Sequence, residues 1–163
     1  MKLSNKNTEE GKYDFHIGNI KRNTNDYSNA LIFYEKALKK SSDIKEIYNN
    51  LAGIYMVQGE MEKALEIVNE GLKLYPQYEE LTFKKGQLLF TFQRYKESIE
   101  TLEKIVSKDR YFEVYRFMGL SYYYLQDKQN AITNLKEYLA KVNDEIKEKT
   151  EIEKLILQIE ENQ

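Results

Sequence analysis

The chain has 163 residues, of which 41% are hydrophobic and 32% are charged, a balance typical of a folded domain and not of a disordered or membrane-spanning chain. A net charge of −2, from 25 basic and 27 acidic residues, argues against a general nucleic-acid-binding surface, because phosphate binding needs a basic excess. The sequence contains no Cys, which excludes disulfides, thiolate metal sites and cysteine nucleophiles.

Helical apolar spacing and turn signals predict four helix pairs followed by a final helix. A polar segment, residues 1–10, comes first. The first helices of the pairs are expected at 11–23, 44–58, 78–91 and 111–125. Their partner helices are expected at 27–40, 61–74, 95–107 and 128–141. Asn25-Asp26 and Gly59 are predicted turn residues within pairs, and Asp127 is expected to cap the last partner helix.

The last segment, residues 144–163, is predicted to form a capping helix over about 145–161. Its apolar residues form a single stripe, with Glu and Lys on the other faces: Ile152, Leu155, Ile156 and Ile159. A helix with one apolar and one polar face suits the exposed end of a helical stack. The alternative is that this helix docks a partner or a second copy.

The four pairs share one period along the chain. Small residues recur at intervals of 34, 34 and 33 in two columns, namely Gly18, Ala52, Gly86 and Gly119, and Ala30, Ala64, Ser98 and Ala131. A large residue follows the second column by four positions in each repeat: Tyr34, Val68, Leu102 and Leu135. Small residues on both helices let the two backbones of a pair approach closely. The repeats therefore span 11–44, 45–78, 79–111 and 112–143.

The second and fourth repeats carry the most specific motif. Tyr48-x-x-Leu51-Ala52-x-x-Tyr55 is followed by Ala64, Val68 and Pro76, and Tyr115-x-x-Met118-Gly119-x-x-Tyr122 is followed by Ala131. This pattern resembles the tetratricopeptide-repeat signature. The resemblance covers residues 11–143 and implies an all-α fold, a right-handed α–α solenoid of four helix pairs with a C-terminal capping helix. The first repeat departs from the pattern at Asp14, and the third at Thr82, Lys85 and Ser98.

Few titratable residues are placed for catalysis. His16 is the only His, and the sequence has no H-x-x-x-H spacing, no glycine-rich phosphate loop and no G-x-S-x-G motif. The carboxylates fall on solvated helix faces, as at Glu97, Glu100 and Glu103. No enzyme activity, metal ion or cofactor is expected.

The resemblance implies a concave groove formed mainly by the first helix of each pair. Helical register places aromatic, amide and cationic side chains in that groove: Phe15, His16, Asn19, Asn49, Asn50, Phe83, Lys84, Gln87, Phe90, Arg116, Phe117, Tyr123 and Tyr124. The rings are suited to docking apolar side chains, the amides to bonding a peptide backbone, and Lys84 and Arg116 to meeting a carboxylate. The alternative is that the rings pack against neighbouring second helices.

One branch of this family grips the C-terminal carboxylates of heat-shock chaperones with a set of Lys, Asn and Arg residues. Asn19, Asn50 and Lys84 fall where three members of that set would lie. Phe15 and Glu80, however, stand where Lys is expected, which removes two cations and adds a negative charge. A carboxylate clamp of that kind is therefore not expected.

The sequence predicts a non-enzymatic adaptor or scaffold that binds a peptide or helix of another protein in its groove. The alternatives are a self-associating or assembly subunit and a secretion-type chaperone with a tetratricopeptide-repeat body, and the oligomeric state stays open. No nucleic-acid partner is expected. No segment approaches the ~20 apolar residues of a membrane span, and residues 1–10 lack the apolar core of a signal peptide. A cytoplasmic location without membrane insertion is expected unless a signal sequence was removed.

Overall fold

A computed structural model describes the backbone of residues 2–41, 43–143 and 147–161 and the side chains of 9–41, 43–143 and 148–161. Within these residues the structure has nine α-helices and no strand. The helices are α1 (Lys2–Asn23), α2 (Tyr27–Lys40), α3 (Lys45–Val57), α4 (Met61–Leu74), α5 (Glu79–Thr91), α6 (Tyr95–Leu102), α7 (Glu113–Tyr124), α8 (Lys128–Leu139) and α9 (Lys147–Glu161). The chain forms two compact units, residues 1–81 and 82–163, each with its own apolar core.

Most helices begin and end close to the predicted positions. The bounds of α2 and α4 are as predicted, and those of α3, α5, α7 and α8 differ by at most two residues. The predicted final helix is present as α9, while residues 144–146 at its predicted start lie outside the described residues. The repeat period therefore located the helix pairs correctly.

Two bounds were predicted wrongly. The first helix begins at Lys2 and not at residue 11. Gly11 therefore lies inside α1 and does not mark its start, and a β-carbon built on it would come 2.6 Å from Ser41 Cβ. The α6 helix ends at Leu102 and not at residue 107. Beyond Leu102, the Lys104 and Ile105 N–H groups donate to carbonyls only three residues earlier, and the Ile105 side chain turns into the core.

The turns within the four pairs share one backbone conformation. Asn25, Gly59, Gln93 and Gln126 have φ values of 59°, 78°, 59° and 64°, and they are again spaced by 34, 34 and 33 residues. In each turn the N–H of the following residue donates to a carbonyl five residues earlier, as from Asp26 to Lys21 at 2.9 Å. This is the Schellman arrangement that ends helices in the left-handed region. Only one of the four residues is glycine.

The partner helices α2 and α8 begin at capping aspartates. Asp26 accepts a hydrogen bond from the Asn29 N–H at 3.4 Å, and Asp127 accepts one from the Asn130 N–H at 3.2 Å. The predicted cap at Asp127 is confirmed. Such caps satisfy an N–H that has no partner within the helix.

The first small column brings the two helices of each pair together. A β-carbon built on Gly18 would lie 2.6 Å from the Tyr34 ring, and one on Gly119 would lie 2.7 Å from Leu135 Cγ. The second repeat has Ala at this position and the smaller Val68 as its large residue, both fully buried. The added methyl group of Ala52 and the smaller side chain of Val68 therefore occur in the same helix pair.

The second small column is fully buried in all four repeats. Ser98 fits this column in the third repeat because its hydroxyl donates to the Gly86 carbonyl at 2.8 Å. The departure at Asp14 in the first repeat is also compensated: this buried carboxylate accepts a hydrogen bond from Lys40 Nζ at 2.8 Å and ties α1 to α2. That bond raises the pKa of Lys40 above its ordinary value.

Candidate peptide-binding surface

In the first unit, two predicted binding amides are bonded to each other. Asn50 Nδ2 donates to Asn19 Oδ1 at 2.9 Å and to the Tyr34 hydroxyl oxygen at 3.2 Å, while that hydroxyl donates to Asn19 Oδ1 at 2.7 Å. Arg22 Nη1 donates to Asn50 Oδ1 at 2.6 Å. The four side chains form a polar network that joins α1, α2 and α3. Burial raises the pKa of the Tyr34 phenol, and the nearby Arg22 and Asn50 act in the opposite direction.

The other predicted residues of the first unit surround this network. Phe15 is half-buried, and its ring centroid lies 6.0 Å from that of Tyr34 and 5.8 Å from that of His16. His16 is exposed and Asn49 is half-buried. The first unit therefore uses most of its predicted groove residues for its own packing and hydrogen bonding.

In the second unit, the predicted aromatic residues come together on one surface. Seven rings form a chain with each centroid within about 6 Å of the next, which we call the aromatic track: Tyr111, Phe83, Phe117, Phe90, Tyr95, Tyr124 and Tyr123. The centroids of Phe90 and Phe117 are 5.4 Å apart, and Tyr95 stacks on Tyr124 at 4.7 Å. Helices α5, α6 and α7 all contribute to the track.

The aromatic track is half-buried along its length. Phe83, Phe117 and Tyr111 pack with one edge against the core formed by α6 and α7. Tyr124 is 54% exposed, and the other six rings have intermediate exposure. Each ring thus contacts its neighbours and still presents surface to solvent, so the packing alternative holds in part and the binding role stays a prediction.

Two members of the track were not among the predicted site residues. Tyr95 is the first residue of α6, and it reaches the track because the turn after α5 brings it beside Phe90, with ring centroids 5.5 Å apart. Tyr111 precedes α7 and contacts Phe83. The sequence signal for Tyr95 was present, since it occupies the position that Tyr27 and Met61 hold in earlier repeats.

The predicted polar residues of this unit have different surroundings. Arg116 donates to Glu113 Oε2 at 2.7 Å, forms an ion pair with Glu148 of α9, and lies over the Phe117 ring at 4.5 Å. Its guanidinium is therefore already occupied by carboxylates of the chain itself. Lys84 and Gln87 lie half-buried on α5.

A cavity of about 320 Å³ lies at the Tyr123 end of the track. It is lined by Tyr123, Gln126, Lys128, Gln158 and Ile159, so α9 forms part of its wall. Its volume is in the range of sites that hold a single large side chain or a small ligand. The capping helix thus contributes to the surface on which the track ends.

Two further features concern the described residues only. They contain no cluster of three or more His, Asp or Glu side chains arranged to hold a metal ion. None of their helices is long and apolar enough to cross a membrane.

Comparison with known sequences gives matches to repeat families and to two curated relatives. The family model for subunit 3 of the anaphase-promoting complex, or cyclosome, matches residues 23–105, just over half of the chain, and a tetratricopeptide-repeat model matches residues 118–142. Small glutamine-rich tetratricopeptide repeat-containing protein 2 of Mycosarcoma maydis is 27% identical over 97 residues, which are 60% of this chain and 28% of that protein. Photosystem I assembly protein Ycf3 of Synechococcus sp. (strain CC9605) is 37% identical over 75 residues, 44% of this chain and 43% of that protein. The chain thus matches less than half the length of either relative.

Solved structures with the same fold include two tetratricopeptide-type proteins. MamA superposes with a TM-score of 0.72 at 22% identity, over 90% of this chain and 95% of that one. YrrB, a TPR protein with an unusual peptide-binding site, superposes with a TM-score of 0.70 at 18% identity, over 83% and 70%. The predicted all-α solenoid fold is confirmed by these likenesses and by the observed helices. The chain belongs to the tetratricopeptide-repeat family.

Proposed function

We propose that the protein is a non-enzymatic interaction module, an adaptor or scaffold, that binds a segment of another protein on the aromatic track. The observation that carries the proposal is the track itself: seven neighbouring rings of the second unit, six of intermediate exposure and Tyr124 more than half exposed. Aromatic side chains are enriched at protein interfaces, where Tyr is often among the residues that dominate the binding energy, and exposed apolar patches mark binding sites. The coarser role in protein–protein interaction fits the family, and the predicted cytoplasmic location stays a prediction.

The chemistry of the track favours a segment with large apolar side chains. Phe83, Phe90 and Phe117 pack in T-shaped pairs and keep part of their surface exposed to solvent, where apolar side chains of a ligand can contact them. The cavity beside Tyr123 is large enough for one anchoring side chain of the segment. Gln87 supplies an amide beside the rings for a peptide backbone. YrrB, with its peptide-binding site, and Ycf3, an assembly protein, are relatives in keeping with this class of function.

The first unit contributes less to the proposed site. Asn19 Oδ1 accepts hydrogen bonds from Tyr34 and Asn50, and Asn50 Oδ1 accepts one from Arg22. We therefore assign both amides to holding the three helices together. Arg116 is likewise paired with Glu113 and Glu148. A ligand carboxylate would have to displace a carboxylate of the chain, and the proposal therefore rests on apolar contacts.

The test is selection of peptides from a random library on the full chain, followed by fluorescence-polarisation titration of the selected peptides. Tyr124→Ala and Phe90→Ala are expected to weaken binding at least about 10-fold, as for anchoring residues in an interface. The matched control is Tyr13→Ala, which removes an even more exposed tyrosine from the other unit.

Circular dichroism must show unchanged helicity for Tyr124→Ala, whose ring is more than half exposed. Peptides that bind the control and both track variants equally well would overturn the proposal, as would a failure to select any peptide. Capture from native lysate, compared between wild type and Phe117→Ala, then identifies the natural partner.

A further inference from the structure

The first helix has an apolar stripe that is open to solvent. Tyr13 and Ile20 are 67% and 62% exposed, with half-buried Ile17 between them. The three residues are spaced four and three apart, so they lie on one face of α1. We call this face the α1 stripe.

The equivalent positions in other repeats show the packing role of the α1 stripe. The equivalent residues of α3 are Ile47, Leu51 and Ile54, and all three are buried against Ala30, Tyr34 and Ala37 of α2. In α7 the equivalents Val114 and Met118 are buried against α6 and the residues that follow it. The stripe is therefore the packing face of a first helix, and in α3 and α7 another helix covers it.

Exposure alone does not mark such a face. Ile32 of α2 is 48% exposed, but its equivalents in the other repeats are Glu66, Glu100 and Thr133, which are exposed as well. Ile32 is thus an ordinary surface residue. It provides a matched control for the α1 stripe in the same unit.

The last pair has no comparable open face among the described residues. Ile152, Ile156 and Ile159 of α9 are buried against Ala131, Ile132, Leu135 and Tyr138 of α8. Copies of the chain therefore lack a matching pair of open ends for head-to-tail stacking. Self-association that uses the α1 stripe of both copies is isologous, and it closes at a dimer.

We propose that the α1 stripe is a dimer interface, in which α1 of one copy packs antiparallel against α1 of a second copy. The stripe is nearly symmetric about Ile17, so a two-fold axis near that residue places Tyr13 of one copy against Ile20 of the other. Covering both residues removes from water the largest apolar exposures among the α1 side chains that the structure describes.

The charges along α1 are complementary in the antiparallel arrangement. Glu9 and Glu10 precede the stripe, and Lys21 follows it. Reversing the direction of the second helix brings its lysine towards the acidic end of the first. The existing pairs of these residues, Glu9 with Lys12, Glu10 with Lys40, and Lys21 with Asp26, have mostly solvent-exposed side chains and are therefore readily exchanged.

A single pair of helices makes a small interface, at or below the ~1,200 Å² lower end for stable complexes, so dissociation constants of about 10–100 µM are expected. Sedimentation equilibrium of the full chain tests this over a range that spans those values. Wild type is expected to rise from 19.5 kDa towards twice that mass as concentration increases. The double variant Tyr13→Lys/Ile20→Lys is expected to raise the dissociation constant at least about 10-fold.

Two matched variants locate the interface. Ile32→Lys on α2 and Leu157→Lys on the exposed side of α9 are expected to dimerise as wild type does. A mass that stays at that of the monomer at every concentration would overturn the proposal, and a helix of another protein would then be the candidate to cover the stripe. Loss of the dimer in Leu157→Lys, with no effect of the α1 double variant, would also overturn it, because the capping helix would then be the interface.

Cysteine cross-linking gives an independent readout, since the chain has no Cys. Ile17→Cys is expected to form a covalent dimer on mild oxidation, because residues at a two-fold axis meet their own copies. Ile32→Cys is the control and should remain monomeric. Equal cross-linking of the two variants contradicts the proposed axis. Peptide binding on the aromatic track should be unaffected by Tyr13→Lys/Ile20→Lys, so the two proposals can fail separately.

Discussion

The contact between Gly86 and Leu102 allows the close approach of α5 and α6 to be tested. The effect of Gly86→Ala on the free energy of unfolding should change sign when Leu102 is replaced by a smaller residue. A β-carbon built on Gly86 lies 2.5 Å from Leu102 Cγ, and its three nearest atoms all belong to the Leu102 side chain. Leu102 is fully buried with Ile99, Ile105 and Val114 around it, so it has little room to move. Overpacking of this kind costs about 1–3 kcal/mol, while replacing a helical Gly by Ala contributes about 1 kcal/mol in the opposite direction.

Gly86→Ala is therefore expected to lower the free energy of unfolding by up to about 2 kcal/mol in the wild-type background. Leu102→Ala alone should cost about 2–5 kcal/mol through lost burial and the cavity it leaves. In the Leu102→Ala background every atom that the new methyl group would strike is gone. There Gly86→Ala is expected to stabilise the protein by about 1 kcal/mol, from helix propensity and partial filling of the cavity.

The assay is urea denaturation of the four chains followed by circular dichroism at 222 nm. The coupling between the two substitutions should be about 1–3 kcal/mol, above the ~0.5 kcal/mol error of such a cycle. If the two changes were additive, the close contact would not limit the distance between the helices. The second repeat already has the corresponding combination, with Ala52 on one helix and the smaller Val68 on the other.

Two further stability predictions concern single positions. Gln93→Gly and Gln126→Gly should each raise the free energy of unfolding by about 0.5–1 kcal/mol, because both residues have positive φ, whereas Gly59→Ala should lower it by about 1 kcal/mol; melting temperatures that move in the opposite directions would contradict the shared turn geometry. Lys85→Met should stabilise the protein at pH 7 by about 1 kcal/mol, because Lys85 occupies a column that is apolar in the other repeats and burial followed by neighbouring cations lowers its pKa. Because folding disfavours the protonated form of Lys85, the wild-type protein should gain stability as the pH rises towards the ordinary lysine pKa of 10.5. The difference in free energy of unfolding between Lys85→Met and wild type should therefore decrease with pH, which denaturation at pH 7 and at higher pH will measure.

The helix pairs were predictable because packing acts on every repeat in the same way. Small residues at Gly18 and Ala30 fix how closely α1 and α2 approach, and the same requirement recurs in later pairs. The end of α6 was not predictable from its apolar spacing. Ile105 continues a helical pattern in sequence, yet the α-helix ends at Leu102, after which the Lys104 and Ile105 N–H groups donate to carbonyls only three residues earlier.

The candidate site was predictable for its aromatic part and less so for its polar part. Phe83, Phe90 and Phe117 share a register that follows from helical geometry, and the structure places them together. The pairing of Asn50 with Arg22, 28 residues apart, depends on the distance between two helices, which the sequence does not state. Polar side chains find partners wherever packing brings them within reach, and this decides whether they remain open to a ligand.

The contact of Arg116 with Glu148 affects how shortened chains should be interpreted. Removing α9 uncovers the apolar face of α8, and it also releases one carboxylate from a guanidinium that rests on a ring of the track. A chain ending near residue 143 would then bind acidic ligands more strongly than the 163-residue chain does. Binding measured on such a fragment would therefore reflect the charge of Arg116, which Glu148 partly neutralises when α9 is present.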